Sequence, residues 1–455
     1  MRFHSFFEMI SFYAEKTPKA PALHYESGGE RRTMSFAALR SAVIGRASFM
    51  QEEEASCEGI LADGSLPSVI EVFAAAKIGR QIVMLDPNTP EEVLKAQIRL
   101  ADADILCGED ELLDVLSASL TQGLPEEERS RPGDVKMLFF TSGTTDRSKA
   151  VVLTEESFMA SAYNGGALLP LSPDDRLLCL LPMAHVFGFV CGLLWGLSCG
   201  ASVALGRGPR HYADDCAYFQ PTALSAVPLL WGFLLKYKAL NPELKLVLIG
   251  AGDCPAPLLA AAKALGIRLS FGYGLTETSS GIALSLGEDP YAMTICPDDT
   301  VKIAQDGEIL IQAPTCVMQG YYKQPADTAA AFQDGWLLTG DLGFLDEAGC
   351  LHITGRKKEM IVLPDGTKIF LPEYEAALGN TLGTQELAVS LDEKNRLTLV
   401  LGKNEGGDPK AVLEKLRPVL EQRPRGQQIN RVIFDPQPLP RTATGKLKRW
   451  EIKTD

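Results

Sequence analysis

The chain has 455 residues, 46% hydrophobic and 22% charged, with 44 Lys and Arg against 58 Asp and Glu for a net charge of −14. At roughly 150 residues per domain that length allows two or three domains, and ordinary Gly and Pro usage excludes a disordered, collagenous or coiled-coil chain. The acidic balance argues against nucleic acid as a partner, because phosphate contacts need clustered lysine and arginine.

Near the start, Glu8 and Glu15 interrupt the apolar residues before a signal-peptide core can form, so a cytoplasmic location is expected. Apolar residues at helical spacing predict a helix over 68–78, a short apolar strand follows at 81–85, and 87–90 reads as a turn. The alternation continues with strands at 135–140, 244–249 and 269–271, which predicts mainly parallel sheets covered by helices on both faces. Between 177 and 206 there is no Asp, Glu, Lys or Arg, a run long enough for a membrane span. Pro182, His185 and five glycines divide it into strand, turn, helix and strand, so burial is expected rather than membrane insertion. From about 300 the texture changes: 301–312, 335–339 and 350–354 read as strands joined by Gly and Asp turns, hence more antiparallel.

Charge changes too. From Arg356 onward there are 18 Lys and Arg against 14 Asp and Glu, so +4, which leaves −18 for the rest. That predicts a separate C-terminal domain, with Gly355-Arg356-Lys357-Lys358 at the junction. No two of the ten cysteines are spaced Cys-x-x-Cys and the five histidines are scattered, so reduced thiols and no zinc site are expected.

Four segments carry candidate chemistry. Thr141-Ser142-Gly143-Thr144-Thr145 with Lys149 follows a strand. Its hydroxyls, backbone N–H groups and lysine suit phosphate, although it is not a Walker A loop, and a plain loop is the commoner outcome of such a composition. Gly272-Tyr273-Gly274-Leu275-Thr276-Glu277 also follows a strand: glycines permit close approach to a flat ligand, tyrosine can stack on a base, and Glu277 offers a carboxylate to Mg²⁺. Asp341, with Arg356 downstream, suits a pair of ribose hydroxyls, or a turn aspartate and a surface arginine. Pro440-Arg441-Thr442-Ala443-Thr444-Gly445-Lys446 presents one lysine on a turn, or is a solvated basic tail.

Taken together and in order, these segments resemble the AMP-forming acyl-adenylate synthetases: acyl-CoA synthetases, adenylation domains of peptide synthetases and beetle luciferases. The resemblance covers nearly the whole chain through TSGTT…K at 141–149, LPMAHVFGF at 181–189, GYGLTE at 272–277, GEILIQAPTCVMQGYY at 307–322, GWLLTGD at 335–341, GRKKEMI at 355–361 and PRTATGK at 440–446. It implies an α/β fold: a large N-terminal domain (1–354) of helix-covered sheets plus a small distorted barrel, a hinge (355–358), and a small mobile α+β domain (359–455). It further implies that Thr141–Thr145 and Lys149 embrace the ATP phosphates. Gly250-Ala251-Gly252 and Gly272-Tyr273-Gly274 would enclose adenine, and Thr276 would touch the α-phosphate. Glu277 would help hold Mg²⁺, Asp341 and Arg356 would bind ribose, and His185 would lie at the acyl pocket. Lys358 matches the hinge position, and Lys446 would bridge substrate carboxylate and α-phosphate.

The activity so implied is activation of a fatty or aryl acid to an acyl-AMP, then transfer to coenzyme A. The phosphopantetheine arm of an acyl carrier protein is an alternative acceptor, and a non-catalytic nucleotide-binding homologue an alternative class. The chain departs from the family pattern at Asp146-Arg147-Ser148-Lys149-Ala150, where Asp146 brings negative charge to a triphosphate loop, and at Pro372-Glu373-Tyr374-Glu375 after the hinge.

Overall fold

Two large sheets carry the fold, joined by the helices that the sequence alternates with its apolar strands. The computed structural model describes residues 1–51, 56–106, 135–141, 149–252, 254–363, 368–392, 394, 396–404, 406–441 and 447–454. Ser142, Gly143, Thr144, Thr145 and Lys446, together with the Asp146 departure, lie outside the described residues.

The first sheet has six strands, ordered Gly320–Tyr321, Ala150–Thr154, Lys136–Phe140, Gln81–Leu85, Cys57–Leu61, Asp104–Leu106. Its last four strands pair in parallel. Lys136–Phe140 and Ala150–Thr154 are antiparallel, so the phosphate-loop segment joins two paired strands. The second sheet has fourteen strands among the described residues. Its parallel centre runs through Ser202–Leu205, Arg176–Cys179, Ala223–Ala226, Leu246–Ile249 and Arg268–Leu275. From Ser280–Ser285 to Leu351–Arg356 every pairing is antiparallel, as the change of texture near 300 predicts.

Local signals set the helices between the sheets. Ser65 caps Leu66–Lys77, and Pro67 in the first turn moves its start two residues ahead of the predicted 68. Thr154 and Ser157 cap Glu155–Leu168 reciprocally: the Ser157 N–H donates to Thr154 Oγ1 at 3.1 Å, and the Thr154 N–H to Ser157 Oγ at 3.0 Å. The uncharged run resolves into strand Arg176–Cys179, a turn, three helical pieces (Val186–Phe189, the π-helical Val190–Leu194, Trp195–Ser198) and strand Ser202–Leu205. Its apolar residues are mostly buried, and no helix among the described residues is long and apolar enough to cross a membrane. Two strands outrun the sequence prediction. Arg268–Leu275 extends past 271 because Ser280–Ser285 folds back on it, and Trp336–Leu345 passes through Gly340 and Gly343 because both flanking strands pair with it.

Residues beyond the junction build a core of their own. Helices Leu371–Leu382 and Pro409–Leu420 pack on strands Leu387–Leu391, Leu397–Leu401 and Arg431–Phe434, with one apolar cluster running from Leu363 to Val432. The Pro372–Glu375 departure has a structural use. Tyr374 is buried and its hydroxyl donates to the Gln427 carbonyl at 2.6 Å. Glu375 accepts the Val389 N–H and a two-pronged contact from Arg449 at 2.7 and 2.8 Å, which ties the C-terminal residues to helix and sheet.

One buried carboxyl makes stability depend on pH. Asp299 is 8% exposed; Asn164 donates to one oxygen at 3.4 Å, and the other has no partner among the described residues. Burial, and then the neighbouring Asp298 charge, push its carboxyl up to about 7. The folded chain therefore keeps a proton that the unfolded chain releases near pH 4, and this group's contribution to stability falls as pH rises from about 4 to 7. Asp299→Asn is expected to melt progressively above the parent as pH goes from 5 to 8; a melting difference that stays constant across that range refutes the assignment.

Candidate active site

The candidate nucleotide residues sit where the parallel part of the large sheet hands over to the antiparallel part. Strand Leu246–Ile249 ends in Gly250-Ala251-Gly252, with Ala251 in the left-handed region at φ 63°. A side chain on Gly250 would come within 2.8 Å of the Phe187 ring, so the glycine lets that ring close on the strand end. Phe187 lies in the first helical turn after His185. The His185 imidazole is half-exposed, 3.6 Å from the carboxylate of Asp86, which directly follows strand Gln81–Leu85.

Gly272, Tyr273 and Gly274 lie on Arg268–Leu275, with an irregularity in pairing between Tyr273 and Gly274. The Tyr273 side chain is buried and its hydroxyl donates to Asp341 Oδ2 at 2.9 Å. Asp341 is 2% exposed and stands across the ladder from Arg356, whose Nε lies 3.0 Å from Oδ1. Burial, and then the Asp341 charge, hold the Tyr273 phenol well above its ordinary range, so it remains a donor. The expected pair of Asp341 and Arg356 is thus in contact, and the hydroxyl of Tyr273, read from the sequence as a base-stacking ring, braces the carboxylate.

Thr276 and Glu277 occupy the short 3₁₀ turn Thr276–Thr278. The Glu277 carbonyl accepts the Met318 N–H at 2.8 Å, and its Oε1 accepts the Tyr321 hydroxyl at 2.8 Å. Lys149 Nζ stands 4.4 Å from the Tyr321 ring centroid and 3.0 Å from Asp327 Oδ1. The Thr141 N–H donates to the Lys149 carbonyl at 2.9 Å, which brings together the residues on either side of 142–148. A similar closure frames Lys446: Arg441 pairs with Leu447, and the Lys448 N–H donates to the Pro440 carbonyl at 2.8 Å.

At the junction, Gly355 and Arg356 are still paired with Leu342 and Asp341. Lys357 is held by Asp306 at 2.6 Å and Glu308 at 2.7 Å, whereas Lys358 is exposed. A side chain on Gly355 would meet the Phe370 ring at 2.0 Å.

These contacts form one polar line: Arg356, Asp341, Tyr273, along the strand to Glu277, then Tyr321, Lys149 and Asp327. Glu277 fits a hard divalent cation, since it is partly exposed and, among the described residues, Tyr321 occupies one of its two oxygens. Sequence reading missed Tyr321, Asp327, Phe187 and Asp86. Tyr321 stood inside a recognised stretch, but nothing in spacing joins it to Glu277, 44 residues away.

A family model described as AMP-binding enzyme matches residues 11–322. The 2-succinylbenzoate–CoA ligase of Bacillus velezensis is 28% identical, with 96% of each chain covered. A propanoyl:CoA ligase of Mycobacterium tuberculosis, whose acid bears a 7a-methyl-1,5-dioxo-octahydro-indenyl group, is 31% identical over 71% of this chain and 66% of that one. Among solved structures, the O-succinylbenzoate coenzyme A synthetase of Bacillus subtilis in complex with ATP and magnesium ion superposes with a TM-score of 0.79, at 24% identity, over 97% of this chain and 98% of that one. Motifs, sheet order and a matched segment longer than half the sequence agree, and the chain belongs to the AMP-binding enzyme family of adenylate-forming ligases.

Proposed function

We propose that this chain is an ATP-dependent acid–thiol ligase that makes an acyl-coenzyme A. The observation that carries the reading is the polar line from Arg356 to Lys149, which offers a buried carboxylate at one end and a carboxylate with a lysine at the other. A nucleoside triphosphate needs those groups: acceptors for its ribose hydroxyls, and cationic help for its phosphates. End-to-end similarity to CoA ligases supports it.

In the first half-reaction the substrate carboxylate oxygen attacks the α-phosphorus of ATP. The bond to pyrophosphate breaks and the acyl-adenylate forms. Asp341 and Arg356 hold the ribose, and the Gly250–Gly252 and Gly272–Gly274 segments flank the base. Thr276 and Lys446 donate to the α-phosphate, while Lys149 and the 141–145 loop take the outgoing phosphates. Glu277 would hold Mg²⁺, which when bound neutralises charge on the transferring group. In the second half-reaction the thiol sulfur attacks the acyl carbon, the bond to AMP breaks and AMP leaves. His185, open to solvent above the strand ends, stands where the thiol arrives.

The domain assignment, 1–354 and 359–455 around the 355–358 hinge, belongs to the same proposal. Arg356 and Lys357 are tied to the larger body, so the pivot falls at Lys358, and rotation would exchange Lys446 for the segment after the hinge between half-reactions. A carrier protein's phosphopantetheine arm is the second acceptor to test, since the +4 region from Arg356 onward suits an acidic partner. We also assign the chain to the cytoplasm; ten scattered cysteines with no Cys-x-x-Cys spacing fit a reducing compartment.

The test is pyrophosphate release over a panel of carboxylic acids, with and without coenzyme A. Acid-dependent release, with acyl-coenzyme A appearing only when the thiol is present, is expected; release without any thioester points to a carrier, and no release with any acid overturns the ligase. Lys446→Ala is expected to lower adenylation by ~10² or more while transfer from supplied acyl-adenylate to coenzyme A changes little. Tyr273→Phe removes one hydrogen bond from a buried carboxylate and is expected to weaken ATP binding about 5-fold, ~1 kcal/mol, by titration calorimetry. Unchanged ATP affinity would show that Tyr273 does not position Asp341.

A further inference from the structure

Two anions compete for the charge of Lys149. The ligase reading above gives it to the outgoing phosphates. In the structure its Nζ lies instead 3.0 Å from Asp327 Oδ1 and 4.4 Å from the Tyr321 ring centroid. Both partners of the pair reach solvent, the Lys149 side chain being 30% exposed and that of Asp327 49%. Exposed pairs of this kind are weak, so the contact can be exchanged for a stronger one.

The surroundings of the lysine are anchored. Strand Gly320–Tyr321 pairs with Val152 and Val151, just beyond Lys149, and the Tyr322 N–H donates to the Ala150 carbonyl at 2.8 Å. Helix Pro325–Ala330 is fastened to that strand by Thr328, whose Oγ1 accepts the Tyr321 N–H at 2.8 Å. A side chain on Gly320 would meet Thr328 at 2.7 Å, so the glycine permits this close seating. The Tyr321 hydroxyl is committed to Glu277. Asp327 and the Tyr321 ring are thus held in fixed places, while the lysine charge rides on a flexible four-carbon stem.

We propose that Asp327 is a standby counter-ion: it holds Lys149 while no phosphate is present and takes it back as pyrophosphate leaves. The inference rests on the ligase reading and deepens it. Asp327 acts on the nucleotide through Lys149 and is a positioning residue. ATP or pyrophosphate must displace a carboxylate before it can use the lysine, which cancels part of its affinity. AMP has no β- or γ-phosphate and requires no exchange. The device therefore loosens the hold on the leaving pyrophosphate and spares the hold on the adenylate that the second half-reaction needs.

Titration calorimetry on the full chain, with magnesium and without any acid, reads binding without turnover. Asp327→Asn is expected to tighten ATP and pyrophosphate about 3- to 5-fold at low ionic strength and less at high salt, with AMP affinity unchanged. Asp327→Ala, a second neutral variant, is expected to do the same, and Asp327→Glu to restore the parent affinities. In a Lys149→Met background, Asp327→Asn is expected to change nothing. Unchanged or weaker binding of ATP and pyrophosphate by both neutral variants overturns the proposal. So does tightening that persists with Lys149→Met, since the carboxylate would then repel phosphate directly, and so does equal tightening of AMP. In each of those cases a parent chain that binds ATP and AMP leaves the ligase reading standing. If the parent binds neither nucleotide, the ligase reading fails and this inference falls with it.

Discussion

There is no room for a side chain between Gly274 and the Ser280 carbonyl: a Cβ built on that glycine would lie 1.5 Å from the oxygen. That close approach lets Arg268–Leu275 be paired in parallel with Leu246–Ile249 on one edge and antiparallel with Ser280–Ser285 on the other. The reversal is what gathers the site. It presents Tyr273 to Asp341 and sets Glu277 in the turn that follows, where Tyr321 reaches it. Any substituent there would push the two strands apart and separate the two ends of the polar line.

Backbone pairing also joins the flanks of two candidate segments: the Thr141 N–H meets the Lys149 carbonyl, and Arg441 pairs with Leu447. The junction is built differently. Arg356 and Lys357 are tied by charge to Asp341, Asp306 and Glu308, while across it Phe370 packs on Gly355.

Polar and apolar demands are kept apart by one strand. On one side stand Tyr273 and the carboxylate it braces; on the other, Leu248 and Leu284 each come within 3.5 Å of where a Gly272 side chain would begin, and both line a pocket without charge. Acyl-adenylates need such a division, because the anhydride must be held by donors yet shielded from water.

Much of this was legible in the sequence. The strand at 81–85, the helix capped by Ser65, the split of the uncharged 177–206 run and the antiparallel texture after 300 all follow from periodicity and turn residues, which act within a few residues. Asp341 and Arg356 were paired in advance because each stands in a recognisable segment. Tyr321 against Glu277, Phe187 against Gly250 and Glu375 clasped by Arg449 were not legible, since each joins residues far apart in the chain and depends on sheet order and register. By itself the sequence determined the elements, the α/β class and the order of the nucleotide motifs, because local spacing and residue chemistry encode them. Only the tertiary structure decided which side chains complete those motifs and what shape and polarity the pocket behind them has, because both arise from long-range packing of strands that sequence spacing does not specify.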